Sequence, residues 1–219
     1  MPTEQKLRWW QVSLRSLLFG LFVLSLPLGY VASERRNSER GMAAVRALEK
    51  LDARISYDYE IPRRSAIMRA LLGDDSYKTV YSVSYGYYLD DNITDADLAP
   101  LTEFTSIGLL RLTNSRVTDS GLRQIALLGT LNGLQLNGTR VTDSGMEYVR
   151  PLRELELLDL NNTSITDGGL PNFYELNKLK VIDLSNTRVT DIGVTNLKRA
   201  LPKLRVSRDN PAWPNTRPD

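Results

Sequence analysis

The 219-residue chain contains neither cysteine nor histidine. This excludes disulfides, thiolate or imidazole metal ligation, a cysteine nucleophile and lipid attachment at cysteine, and it removes the commonest general base. The net charge of +2 is unevenly placed: residues 1–56 carry nine Lys/Arg against five Asp/Glu (+4), and residues 57–219 carry 19 against 21 (−2). The basic excess lies beside an apolar run rather than across the body of the chain, which argues against nucleic-acid binding through a basic face.

Residues 1–15 form a short basic tail with Lys6, Arg8 and Arg15. Residues 16–33 hold no charge and are rich in Leu, Phe and Val. At ~1.5 Å per residue, eighteen helical residues cover roughly 27 Å of a ~30 Å hydrocarbon core. Val12 to Leu14 lengthen the apolar stretch if Arg15 reaches back toward water. Trp9 and Trp10 flank one end and Tyr30 the other, where interfacial aromatics belong. Pro27 and Gly29 are expected to bend or weaken the far end. The segment therefore predicts one transmembrane helix, 16–33, with residues 12–33 meeting the membrane. Two other readings stay open: a cleaved secretory leader ending near Val31-Ala32-Ser33, and a buried helix of a soluble domain. Lys and Arg on the two flanks give no clear orientation. A short basic tail ahead of a first span favours a cytoplasmic N-terminus and an extracytoplasmic remainder.

Residues 34–54 read as a linker helix in which Ala44, Leu48 and Leu51 form one apolar stripe. The stripe either docks on the following domain or pairs two copies. Docking is the stronger reading, because two heptads are too few to argue a coiled coil. Ile55, Tyr57, Tyr59 and Ile61 alternate with polar residues as a strand does. A helix is expected from Ser65 to Leu72 with Gly73 as its stop, then a second strand through Tyr81, Val83, Tyr85 and Tyr87. Strand, helix and strand with a right-handed crossover predict parallel pairing, so residues 55–88 read as a degenerate first coil that caps the repeats beyond it. Seven of the ten tyrosines lie between 57 and 88. They either cover the end of the core or offer a patch to a partner, Tyr85, Tyr87 and Tyr88 being the candidates.

From 89 to 206 a phrase recurs every 24 residues: Ile93-Thr94-Asp95, Val117-Thr118-Asp119, Val141-Thr142-Asp143, Ile165-Thr166-Asp167 and Val189-Thr190-Asp191. Constant period with constant chemistry signals a solenoid. Each unit begins with a short strand: Ile107-x-x-Leu110-x-Leu112, Leu131-x-x-Leu134-x-Leu136, Leu155-x-x-Leu158-x-Leu160 and Leu179-x-x-Ile182-x-Leu184. Ser115, Thr139, Thr163 and Thr187 then place hydroxyls where the chain leaves the strand, to bond backbone groups there. Each Thr-Asp is expected to cap a helix, the carboxylate favouring its positive end. Gly121, Gly145, Gly169 and Gly193 are expected to allow close helix–strand packing. A catalytic role for a carboxylate repeated five times is disfavoured. The strand pattern resembles the leucine-rich repeat, and its Val-Thr-Asp-x-Gly-Leu tail resembles the cysteine-containing, bacterial subtype. With the Tyr-Asp-Tyr strand and Leu72-Gly-Asp-Asp75, the whole chain is similar to membrane-anchored leucine-rich-repeat proteins of planctomycete-type bacteria. That resemblance implies an α/β solenoid with a parallel sheet on the concave side and helices on the convex side, and a binding role. Residues 207–219, with Pro211, Pro214, Pro218 and Trp213, form a Pro-rich tail expected to be extended or disordered.

Side chains alternate along a strand, so the residues between the inward leucines face the concave surface. One column is Arg111, Gln135, Asp159, Asp183; a second is Leu109, Gly133, Leu157, Val181; a third is Thr113, Asn137, Asn161, Ser185. Asp159 and Asp183 become neighbours one strand apart and are expected to attract a cationic side chain of a partner. Leu109, Arg111, Gln135, Leu157, Asp159, Val181 and Asp183 are the expected contact residues. The function read from this is protein binding at a cell membrane with no catalytic residue, metal, cofactor, nucleic acid or small-molecule substrate. The alternative is a self-associating component of the cell envelope, joined through the tyrosine-rich end or the linker helix.

Overall fold

The computed structural model describes residues 14–57, 65–74, 80–85, 92–104 and 106–208, with side chains from residue 29 onward. The first element is one helix, α1 (Leu14–Lys50), of 37 residues. The predicted anchor and linker are thus a single rod, roughly 55 Å long at ~1.5 Å per residue, and it passes through Pro27 and Gly29 without a break. The side chains of residues 16–28, most of the predicted span, lie outside the described residues, as does the basic tail up to residue 13. Among the described residues no helix is long and apolar enough to cross a membrane.

The last turns of α1 join the core. Ala44, Val45 and Leu48 are buried, and Met42 and Leu51 pack partly against them. They lie on the 3-10 helix Asp95–Glu103, so docking consumes the linker's apolar stripe. A tight turn comes next: the Leu51 and Ala53 amides donate to the Leu48 carbonyl at 3.0 and 3.1 Å, with Asp52 left-handed at φ 55°. This reversal sends β1 (Arg54–Tyr57) back along the end of the sheet. β1 pairs antiparallel with β2 (Val80–Tyr85), Ile55 opposite Val83, with an irregularity at Ser56/Tyr57. The expected parallel crossover is therefore corrected. The alternation that predicted the strand carries no information about its direction. Between the two strands lies the short helix α2 (Ala66–Leu72), capped by Ser65, whose Oγ accepts from the Met68 amide at 3.3 Å, and stopped by Gly73 at φ 89°.

From β2 onward every neighbour is parallel: β3 (Leu109–Leu112), β4 (Gly133–Gln135), β5 (Leu157–Asp159), β6 (Val181–Asp183) and β7 (Arg205–Ser207) succeed one another in chain order. Leu110, Leu134, Leu158, Ile182 and Val206 stand in one register. Each step is one sequence period, so the 24-residue repeat alone sets the pairing. Ile107, Leu110, Leu112, Leu131, Leu134, Leu136, Leu155, Leu158 and Leu160 are wholly buried. Each contributes about 1.5–3 kcal/mol by leaving water, and none can do so without the coil beside it.

The opposite wall is less helical than predicted. Only α3 (Asp119–Ile125) and α4 (Asp191–Ala200) are α-helices; the other coils use 3-10 segments, Asp95–Glu103, Asp143–Tyr148 and Leu170–Phe173. A coil of 24 residues leaves few for this side, and 3-10 winding covers more length per residue, ~2.0 Å against ~1.5 Å. Pro171 opens its segment at the first turn, where a missing backbone N–H costs nothing.

Candidate functional site

The Thr-Asp phrase does more than cap helices, because each aspartate serves the next coil. Asp95 accepts from the Thr118 amide at 2.8 Å through one oxygen and from the Thr118 hydroxyl at 2.6 Å through the other. Asp119 takes Thr142 in the same way, at 2.8 and 2.6 Å, Asp143 takes Thr166, at 2.8 and 2.5 Å, and Asp167 takes Thr190, at 2.8 and 2.6 Å. Thr118, Thr142 and Thr190 remain N-caps, Oγ1 accepting from the Ser120, Ser144 or Gly193 amide; Thr166 accepts from the Gly168 amide in a turn ahead of its 3-10 segment, whose N-cap is Gly169. The expectation that each carboxylate caps its own helix is corrected: the threonine caps, and the aspartate clasps the following threonine.

The clasp also explains the glycines. A Cβ at Gly121, Gly145, Gly169 or Gly193 would stand closer than 3.0 Å to the carboxylate of Asp95, Asp119, Asp143 or Asp167, respectively. Helix–strand packing is not the main reason for these glycines; they make room for the aspartate arriving from the preceding coil. The first unit tests this rule. No Thr-Asp phrase precedes it, and the residue in the glycine position is Asp97. Its carboxylate accepts from the Thr94 amide and hydroxyl, both at 2.8 Å, filling from within the coil the role that a preceding coil fills elsewhere. At the other end Asp191 has no following threonine, since Pro214 occupies that position. Arg208 closes the array there, pairing with Asp191 and donating to the Val189 carbonyl at 3.0 Å. In the preceding coils the equivalent carbonyls of Ile93, Val117, Val141 and Ile165 accept an amide of the next coil.

The strand exits match expectation. Ser115, Thr139, Thr163 and Thr187 hydroxyls donate to the Leu112, Leu136, Leu160 and Leu184 carbonyls at 2.8, 2.6, 2.6 and 2.6 Å. Just before them Asn114, Gly138, Asn162 and Asn186 take positive φ, between 53° and 71°. Asparagine and glycine are the residues that tolerate this conformation best.

The predicted contact residues do meet on the outward face of the sheet. Leu109, Gly133, Leu157 and Val181 are paired in register, as are Arg111, Gln135, Asp159 and Asp183. Their presentation differs from expectation. Asp159 and Asp183 are only 5% and 1% exposed and Gln135 9%, so the carboxylates are not offered to a partner as free charges. Each turns onto its own chain: Asp159 Oδ1 accepts from the Asn161 amide at 3.0 Å, and Asp183 Oδ1 from the Ser185 amide at 2.8 Å. Burial is the main cause that raises Asp159 to about 6; the Asn161 hydrogen bond opposes it, and the facing Asp183 charge adds to it. Arg111 is half-buried, and its Nε is buried without a hydrogen-bond partner. The parts that remain accessible are Leu109, Leu157 and Val181, with Arg111, Thr113, Asn137 and Asn161 beside them. A Cβ at Gly133 would strike the Leu109 side chain, which therefore lies across that position. Thr113 donates to Asn137 Oδ1 at 2.8 Å, and Asn186 to Asn161 Oδ1 at 3.0 Å, tying one coil to the next along the same face.

The tyrosine patch is corrected in part. Tyr85 is buried and its hydroxyl points to the Asp97 carbonyl at 3.4 Å; burial, with help from the Asp97 charge, pushes its phenol up. Tyr87 and Tyr88 lie outside the described residues, as does the tail from residue 209. Among the described residues no group of three or more Asp and Glu is placed to hold a metal ion.

The geometry defines a leucine-rich-repeat-like α/β fold, a stack of coils on a parallel sheet. No family model and no curated protein sequence matches the chain. Among solved structures it is similar to a leucine-rich-repeat protein of Leptospira interrogans, with 15% identity, 60% of this chain and 38% of that one covered, and a TM-score of 0.44. It is also similar to an internalin of Listeria monocytogenes, at 21%, 55%, 39% and 0.38, and to the leucine-rich-repeat ectodomain of an Arabidopsis thaliana receptor kinase, at 15%, 78%, 91% and 0.43. The chain spans well under two thirds of the first two proteins. At these identities and scores they say nothing about its partners or activity.

Proposed function

We propose that this is a single-pass membrane-anchored repeat protein that binds another protein across the outward face of its sheet and does no chemistry of its own. The observation that carries the binding role is the accessible strip of Leu109, Leu157 and Val181 with polar side chains along one edge. It lies on strands held in one register by clasps between coils. Such a surface needs little ordering when a partner arrives, which favours association. The anchor rests on the uncharged residues 16–33 at the start of α1 and on the aromatic residues flanking them. In this reading the N-terminus is cytoplasmic and the repeats lie outside, with no nucleic acid, cofactor or small substrate involved. The two surfaces that would serve self-association are partly spent, because the α1 stripe and Tyr85 are inside the core.

Proximity labelling in the native cell, with the labelling enzyme fused after Asp219, tests both halves. Neighbours on the outer side of the membrane are expected. The paired variant Leu157→Arg and Val181→Arg is expected to lose the principal neighbour by about tenfold or more, the effect of disrupting a contact worth ~1.4 kcal/mol or more. An unchanged neighbour set in that variant removes the sheet face from consideration.

A further inference from the structure

Helix α2 carries an apolar face that the described residues do not cover. Ile67, Met68 and Leu71 are 73%, 43% and 55% exposed, and only Leu72 of this helix is buried. Leu71 lies four residues after Ile67 and three after Met68, which puts the three on one side of the helix. An isolated leucine on a surface needs no explanation, but three of seven residues forming one face do.

The position of α2 points to what covers it. Ser38 Oγ donates to the Asp74 carbonyl, and a Cβ on Gly73 would stand 2.8 Å from the Ser38 side chain and 3.8 Å from the Arg35 Cα. The C-terminal end of α2 is therefore fixed against α1 at Arg35 and Ser38. Residue 38 lies five positions past Ser33, where the uncharged run ends, or ~8 Å along a helix axis. The headgroup layer on each side of a bilayer is roughly 5–8 Å deep, so the C-terminal end of α2 is held at that depth. Arg35, beside the end of α2, and Arg69 on α2 are exposed, as are Arg36 and Arg40 further round the same stretch of α1, and exposed Tyr30 lies one turn before the run ends. Apolar side chains beside arginines and a tyrosine make the composition of a segment lying in an anionic lipid interface.

We infer that α2 is an interfacial foot: Ile67, Met68 and Leu71 enter the headgroup boundary of the same bilayer that α1 spans, which fixes the repeat array against the membrane. The inference rests on the anchor reading above. Lipid fits this site better than a partner protein because the helix that carries the face ends against Ser38, within five residues of the apolar run. Among the described residues, the charges on and just after α2 and on the stretch of α1 from residue 34 to 40 are four arginines against Glu34, Glu39 and Asp74.

The absence of cysteine makes the test direct. The full chain, reconstituted in phosphatidylcholine–phosphatidylglycerol vesicles, receives an environment-sensitive nitrobenzoxadiazole label at Ile67→Cys or Leu71→Cys, both exposed positions at which folding is undemanding. Val23→Cys reports the anchor, and Ser144→Cys on the repeats serves as the aqueous control. Lipids brominated just below the headgroup are expected to quench the labels at 67 and 71 by about twofold, deeply brominated lipids the label at 23, and neither the label at 144. Quenching at 23 without quenching at 67 and 71 overturns the foot and leaves the anchor standing. A blue-shifted but unquenched label at 67 also overturns it, since protein and not lipid then covers the face. Absence of quenching at 23, 67 and 71 together overturns the anchor, and the foot with it.

Discussion

Two columns of aspartates run through this molecule, each member one coil from the next, and they are used in opposite ways. Asp95, Asp119, Asp143 and Asp167 give both oxygens to the following coil. Asp159 and Asp183 give theirs to their own chain two residues on. The first arrangement holds coils together. The second shields two like charges that the register forces side by side. At one member of each column the difference shows in acidity. Hydrogen bonds from Thr190, first its hydroxyl and then its amide, hold the Asp167 carboxyl below the usual range, whereas burial raises Asp159. Residue type and period look the same in both columns, and only the partners separate carboxylates that build the stack from carboxylates that burden it.

The comparison is broken most directly at Gly145. An added methyl in Gly145→Ala meets the Asp119 carboxylate. Overpacking of this kind costs ~1–3 kcal/mol, and displacing a charged hydrogen-bond acceptor adds ~1.5–3 kcal/mol. A loss of about 3 kcal/mol in denaturant unfolding is expected. Asp119→Ala should cost less, and the double variant little more than Asp119→Ala alone, because once the carboxylate is gone the added carbon meets only the end of the flexible Leu122 side chain, at 2.9 Å. Additive losses would assign Gly145 some other role.

The opposite sign is expected at Asp159. Its proton is held more tightly in the folded chain than in the unfolded one, so it favours folding fully below pH ~4 and that contribution is lost as pH rises through about 6. Asp159→Asn keeps the acceptor for the Asn161 amide and removes the buried charge. Stability at pH ~7.5 should rise by about 2 kcal/mol, with no gain at pH ~4. Asp167 runs the other way: its contribution is present at neutral pH and lost in acid, as the pH falls through its lowered folded-state pKa. A pH titration of unfolding in Asp159→Asn and Asp167→Asn should give difference curves of opposite slope. Parallel curves would remove the distinction between the columns.

The smallest effects belong to the ends. Asp97→Ala removes a capping box and should cost ~1 kcal/mol. Arg208→Ala acts on Asp191, which is 95% exposed, and should cost ~0.5–1 kcal/mol, chiefly through the Val189 carbonyl. Hydrogen exchange localises each loss to its terminal coil if the ends are closed as described.

Most of the sheet was legible because the period and the inward leucines are local statements repeated from coil to coil. The features that escaped are non-local. The Asp95–Thr118 pair spans 23 residues, and nothing within one unit distinguishes a carboxylate that caps its own helix from one that reaches the next. A signal was nevertheless present: glycine stands two positions after the aspartate wherever a Thr-Asp phrase precedes that unit, and Asp97 stands there where none does. The direction of β1 had no such signal, since it is set by the left-handed turn at Asp52 after α1 has docked. The register of the Arg111–Asp183 column was legible, but burial of Asp159 and Asp183 depends on how short side chains fold back onto neighbouring amides, which alternation does not encode.

Asp97 also sets how such a chain can lengthen. The unit from Val117 to Arg140 holds a threonine and a glycine that receive an aspartate, and an aspartate that serves the unit after it. Duplicating it in tandem restores every clasp, so insertion of whole units in the interior is structurally neutral. The same unit placed ahead of Ile93 meets a threonine already taken and a side chain where there must be none. The array therefore grows from within and never from its N-terminal end, and single-unit insertions made in the laboratory should be accepted or refused along that line.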